Sequence, residues 1–141
     1  LSNEMSKLGA KLILDALKLI EENKADFIDQ NEELATHANK IEKTELKINW
    51  NEDAKKVIAK INAFSPNPGC WLELKGNRIK ILKAKEVVNQ GKPGLILNNK
   101  FTIGCSENAI QILELKKEGK QKMTADEFLR GNSINIGQKL F

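Results

Sequence analysis

From Phe64 to Ala84 the chain reads FSPNPGCWLELKGNRIKILKA, and no other stretch narrows the possible folds as much. Phe64 closes an amphipathic helical pattern. Pro66 and Pro68 then stop the helix, because neither has an N–H to donate and each pushes its predecessor toward extended backbone. Gly69 lets the chain turn. Alternation follows: Cys70, Leu72 and Leu74 on one parity, Trp71, Glu73 and Lys75 on the other, which is the pattern of a half-buried strand. Gly76-Asn77 predicts a two-residue hairpin into a second, basic strand that begins at Arg78.

That second strand changes phase midway. Ile79 and Ile81 share one parity opposite Arg78 and Lys80, but the apolar residues then move to Leu82 and Ala84, with Lys83 and Lys85 on the other parity. One extra residue at Ile81-Leu82, a β-bulge, restores the alternation. It leaves Arg78, Lys80, Lys83 and Lys85 facing outward together. Without it, two unpaired ammonium groups would be aimed at the core, which is costly.

Strand patterns at 70–75, 78–88, 95–98, 100–105 and 109–116 are separated by Gly, Pro, Asn and Ser turns. Five strands around one small core predict a mainly β fold with flanking helices: a partly open, five-stranded barrel of the oligonucleotide-binding type. A two-sheet sandwich fits less well, because the strands are too few. The expected core is Cys70, Leu72, Leu74, Ile79, Phe101, Ile103, Ile110 and Ile112.

Helices are expected at 3–22, 52–64 and 125–130. The first carries Met5, Leu8, Leu12, Ala16 and Ile20 at helical spacing, with Ser2 or Asn3 as cap; so broad an apolar stripe needs a partner. Asn51 is expected to cap the second, whose buried face is Ala54, Val57, Ile58, Ile61 and Phe64. Thr124 and Glu127 form a capping box for the third, closed by Gly131. Between the first two helices runs a long polar connector. The boundaries are read as 1–30 (terminal helix and connector), 31–49 (linker) and 50–141 (barrel domain). The tail to Phe141 has no pattern of its own.

Charge is distributed unevenly. Residues 1–39 carry four Lys against eight acids, whereas residues 71–100 carry seven Lys or Arg against two Glu. Such asymmetry hints at a polyanionic partner. The plain alternative is a solvated face in a lysine-rich composition, with 21 Lys to 2 Arg. The single histidine, His37, and two cysteines, Cys70 and Cys105, do not assemble a zinc site by spacing. Both cysteines are read as buried free thiols of a cytosolic protein. No metal and no membrane span are expected, since no apolar run reaches the roughly 18 residues a span needs. The absence of an initiator Met and the immediate start of a helix point to a fragment.

Taken in order, the motifs resemble the C-terminal part of the methionyl-tRNA formyltransferase family. Leu8-Gly9-Ala10 looks like the end of its catalytic domain. Ala35-Thr36-His37-Ala38-Asn39-Lys40-Ile41 with Lys43 is similar to its linker, A-T-Y-A-x-K-I-x-K. Ile48-Asn49-Trp50 is similar to I-D-W, and Ala63 to Gly69 to A-F-N-P-x-P-G. Ile79 to Ala84, Pro93-Gly94 with Ile96, Leu113-Glu114-Leu115, and Glu118-Gly119-Lys120 through Met123 match its barrel; Phe128 to Gly131 and Gly137 to Leu140 match its end. The chain departs at His37 for Tyr, Asn49 for Asp and Ile136 for Pro.

The resemblance implies a bacterial cytoplasmic enzyme. It would transfer a formyl group from 10-formyltetrahydrofolate to the methionyl amino group of initiator tRNA, using an Asn-His-Asp set in an N-terminal catalytic domain absent here. His37 lies in the linker motif and is not that histidine. This region would bind initiator methionyl-tRNA through Lys40, Lys43, Arg78, Lys80, Lys83 and Lys85, with no cofactor of its own and no activity alone. Two rivals stay open: the C-terminal domain of a folate-dependent formyltransferase acting on a sugar or small molecule, and a purely structural module. Most of the seven aromatics fall at core or cap positions, which argues for contact with a folded RNA backbone rather than a stacking platform for single strands.

Overall fold

Where the periodicity predicts its first helix, the computed structural model, which describes residues 2–140, has α1 at Ser2–Glu21. Ser2 and Asn3 lie inside the helix, so neither caps it, and the cap position falls outside the described residues. None of its described residues is buried. A single 3-10 turn at Glu32–Leu34, capped by the Asn31 side chain, is the only regular structure in the connector among the described residues. The chain divides into two compact units, Leu1–Asn39 and Lys40–Phe141.

In the second unit, α2 spans Ala54–Phe64. Its N-cap is Asp53, whose carboxylate accepts from the Lys56 N–H at 2.8 Å, and not Asn51 as the sequence predicts. The cap moves because residues 49–52 form a turn of their own and the helix starts later: the Asn51 N–H donates to Asn49 Oδ1 at 3.1 Å, the Glu52 N–H to the Asn49 carbonyl at 3.3 Å, and Asn49 Nδ2 to Glu52. Ala54, Val57 and Ile61 are buried, and the helix ends where Pro66 and Pro68 require it, with both X–Pro bonds cis.

The sheet follows: β1 (Cys70–Leu74), β2 (Asn77–Val87), β3 (Ile96–Asn98), β4 (Thr102–Gly104), β5 (Ala109–Lys117) and a short β6 (Lys122–Thr124), then α3 (Ala125–Gly131). The strands pair antiparallel in the order β1-β2-β5-β4-β3, a curled, partly open barrel of the expected class. The strand at Lys122–Thr124 was not expected; it and β4 share one edge of β5, pairing at 114–116 and 109–111 respectively. The hairpin turn sits one residue earlier than predicted. Leu74 pairs with Asn77, and the central residues Lys75 (φ 51°) and Gly76 (φ 75°) both adopt the left-handed region, as a type I′ turn demands.

All eight expected core residues are buried. Each large apolar side chain so buried contributes on the order of 1.5–3 kcal/mol. Phe101 departs from expectation in backbone only. It is fully buried, its ring 5.7 Å from that of Phe128, yet it sits at φ 55° in the β3–β4 turn and β4 begins one residue later. A left-handed conformation costs a non-glycine residue about 1–2 kcal/mol, less than burial of the ring returns.

Both open edges of the sheet are covered by segments without strand patterning. Along β1 lies 46–48, with Trp71 N–H donating to Leu46 O and Ile48 N–H to Trp71 O, both at 2.9 Å. Along β3 lies the tail, with Ile96 N–H donating to Gln138 O and Gly137 N–H to Ile96 O. Leu46, Ile48, Trp50 and Leu140 are buried as a result. The linker's end and the patternless tail are therefore structural edges, which blunts the tendency of open strands to pair with other chains. Gly94 permits this closure: at φ 77° it lies so close that a Cβ there would meet the Leu140 carbonyl oxygen at 2.8 Å.

Candidate nucleic-acid interface

Strand β2 supplies the basic residues and β5 decides how they lie. The register along β5 runs evenly to Ile81↔Leu115, then shifts so that Lys83 opposes Glu114, and shifts again before Ala84↔Ile112. The first shift leaves Leu82 as the extra residue on β2, where the alternation predicts a bulge, and Ile81 and Leu82 are both buried. The second puts an extra residue on β5, at Leu113, which restores the pairing. Arg78, Lys83 and Lys85 are exposed and Lys80 is half-buried.

Neighbouring strands add groups that the sequence did not single out. Lys116 on β5 lies directly opposite Lys80 and is exposed. Trp71 on β1 is opposite Lys80 on the other side. Its ring carries the Arg78 guanidinium carbon 4.1 Å from the centroid and the Lys47 ammonium 5.5 Å away. The Trp71 Nε1–H donates to the Lys43 carbonyl at 3.3 Å. Lys43 and Lys47 are thus tied by backbone and ring to Trp71 of β1, against which Arg78 of β2 lies. Lys40 is exposed, and among the described residues no hydrogen bond or ion pair joins it to the rest. Lys116 and Trp71 were legible only as members of alternating strands; knowing that they flank Lys80 requires the pairing.

The acids nearby include Glu73, opposite Arg78 in the β1–β2 register, Glu114, opposite Lys83, and Glu118 just past β5. Glu114 pairs with Lys122 across the β5–β6 ladder at 3.1 Å. Among the described residues, no carboxylate lies within ion-pair distance of Arg78, Lys80, Lys83, Lys85 or Lys116. Unpaired cations presented together displace counterions from a polyanion, and this interaction does not read sequence.

Other chemistry is thinly represented. His37 stands exposed in the first unit. Cys70 and Cys105 are buried free thiols. Burial pushes both above their ordinary value, Cys105 to about 11 with Asp53 adding to the effect, so neither is a thiolate near neutral pH. Among the described residues no three His, Cys, Asp or Glu side chains gather to hold a metal, and no helix is long and apolar enough to cross a membrane.

Three comparisons bear on this arrangement. The family described as formyl transferase, C-terminal domain, matches residues 40–133. Methionyl-tRNA formyltransferase of Bradyrhizobium diazoefficiens is 39% identical over 99% of the chain, and that of Pelagibacter ubique 36% over 99%. In both cases the chain spans 46% of the relative's length. Among solved structures, a HypX variant from Aquifex aeolicus superposes with a TM-score of 0.65 at 24% identity, covering 86% of this chain and 23% of that one. HypX in complex with tetrahydrofolic acid superposes with a TM-score of 0.64 at 22% identity over 91% of this chain and 26% of that one. At such identities these two structures support the fold alone.

Proposed function

The chain belongs to the formyl transferase C-terminal domain family, and on that premise we propose that it is the tRNA-holding region of a methionyl-tRNA formyltransferase. The whole protein transfers a formyl group from 10-formyltetrahydrofolate to the methionyl amino group of initiator tRNA in the cytoplasm. In this reading residues 1–30 belong to the end of the catalytic domain, 31–49 form the linker and 50–141 the barrel domain. The partners are initiator methionyl-tRNA and the protein's own N-terminal catalytic domain. Catalysis and the folate co-substrate are assigned to that domain; among the described residues here the one histidine stands exposed, and both thiols are buried and protonated.

The observation that carries the reading is the outward row of β2, where Arg78, Lys80, Lys83 and Lys85 stand beside Lys116 with no carboxylate among the described residues at ion-pair distance. Lys40 and Lys43 extend it along the linker. These cations contact phosphates and position the RNA. The test is binding of initiator tRNA to the 141-residue chain over a salt series. Each phosphate-contacting Lys changed to Ala should weaken binding to all tRNAs alike and lower the salt slope by about 1. A slope unchanged after neutralising Lys83 and Lys85 together would overturn the reading and favour a sugar- or small-molecule-modifying relative or a structural module. The purified chain should also show only background formyl transfer.

A further inference from the structure

We propose that Arg78, Lys80 and Lys116 form a phosphate-binding cleft in which Trp71 holds the Arg78 guanidinium in place as a positioning residue. The proposal rests on the RNA-binding reading and narrows it from a diffuse basic face to one built site. A cleft of about 320 Å³ opens between the start of β2 and the β5–β6 turn, lined by Arg78, Lys80, Lys116, Lys117, Glu118 and Gly119. Two features set it apart from a row of solvated lysines.

The first is the Lys80↔Lys116 pair. Like charges directly opposite one another across a ladder destabilise a sheet. No carboxylate within ion-pair distance relieves this one, and Glu118 on the rim makes no ion pair with it. A bound anion would. Lys117 is a different case, since its ammonium contacts Asn132 Oδ1 at 3.2 Å and lies over the Phe128 ring. The second feature is Arg78. Its guanidinium lies over Trp71, and that indole is itself fixed by its bond to the Lys43 carbonyl and by its place in the β1–β2 register. A guanidinium held by the ring can still present its N–H fork to a phosphate with two bonds, which a lysine cannot reproduce.

A phosphate here comes either from an RNA backbone or from a free or terminal phosphate group, and the two are separable. Initiator tRNA binding is measured for the wild-type chain and for R78K, W71F, W71L, K116Q, the W71L/R78K pair and the K83A/K85A pair, each checked by melting. In the cleft, R78K should lose about tenfold in affinity with the salt slope unchanged, because charge is kept and only the fork is lost. W71L should lose a similar factor, W71L/R78K no more than either alone, and W71F little. K116Q should bind more weakly yet melt higher, since the like-charge pair is gone. Inorganic phosphate competing with tRNA at constant ionic strength would assign the cleft to a free or terminal phosphate; no competition, with R78K still weakened, would assign it to a backbone phosphodiester. If R78K and W71L bind as wild type while K83A/K85A lowers the slope, the RNA-binding face stands and the cleft is overturned. If K83A/K85A changes nothing, the reading beneath both has failed. Should W71L not fold, R78K and K116Q decide the matter alone.

Discussion

Helices α1 and α2 are both amphipathic, and the contrast between them separates pattern from burial. In α2 the stripe of Ala54, Val57 and Ile61 is fully covered by the sheet's inner face, where Cys70, Ile79 and Ile81 complete the cluster. In α1 the equivalent stripe of Leu8, Leu12, Ile13 and Leu17 remains exposed, each at more than half of its accessible surface. Periodicity reports which face of a helix is apolar; it does not report what covers that face. The charge contrast runs the same way: residues 1–39 carry four Lys against eight acids, residues 40–141 nineteen Lys and Arg against eleven. One unit is a helix with an exposed apolar stripe followed by an acidic connector, the other a basic barrel with a filled core.

The sharpest way to break this comparison is to delete methylenes from each unit. Ile103→Ala or Ile79→Ala should cost the barrel about 2–5 kcal/mol, because the buried site cannot fully collapse around the void. Leu12→Ala in α1 should shift unfolding by about 0.5 kcal/mol or less, as for other exposed positions. Denaturant titrations of both variants decide it; equal losses would mean that the stripe of α1 is covered in solution. A smaller effect is expected at the start of α2. Asp53→Ala should cost about 1 kcal/mol through the lost cap, whereas Asn51→Ala should cost less.

The barrel's closed core also predicts its response to alkali. The Cys105 thiol, held up at about 11 when folded against an ordinary 9, keeps its proton in the native state while the unfolded chain loses it. Its stabilising contribution is therefore complete below pH 9 and fades as pH rises toward 11. Replacing Cys105 with Ser should flatten that part of a stability–pH curve, and both thiols should react slowly with a thiol reagent until the chain is unfolded. The smallest effect should come from the surface. Lys83→Ala and Lys85→Ala should leave stability within about 0.5 kcal/mol of wild type, even where they weaken RNA binding, which sharpens the distinction between the residues that build the barrel and those it displays.

Local chemistry made much of this fold legible. Alternation placed Cys70, Leu72 and Leu74 in the core; the phase change at Ile81-Leu82 marked the bulge; Thr124 and Glu127 capped α3 reciprocally, with Glu127 held below its usual carboxylate value by the Thr124 N–H and hydroxyl. What the sequence obscured has a common cause. The hairpin turn slipped by one residue because Lys75, not only Gly76, accepts a positive φ there. Asn51 does not cap α2 because residues 49–52 form a turn of their own and the helix starts only at Ala54. Residues 46–48 and the tail carry no alternation, since a strand that covers an edge is specified by its backbone bonds and not by a two-faced side-chain pattern.

By itself, then, the sequence determined five of the six strands, the core parity, the bulge and the run of cations on β2, because each of these follows from the spacing of a few adjacent residues. Only the tertiary structure decided that Lys116 faces Lys80, that Trp71 lies beneath Arg78, and that Lys43 is bonded to that indole. Those contacts join residues from the linker and from three separate strands. They depend on strand register, and register is set by the packing of the whole barrel, which no local pattern encodes.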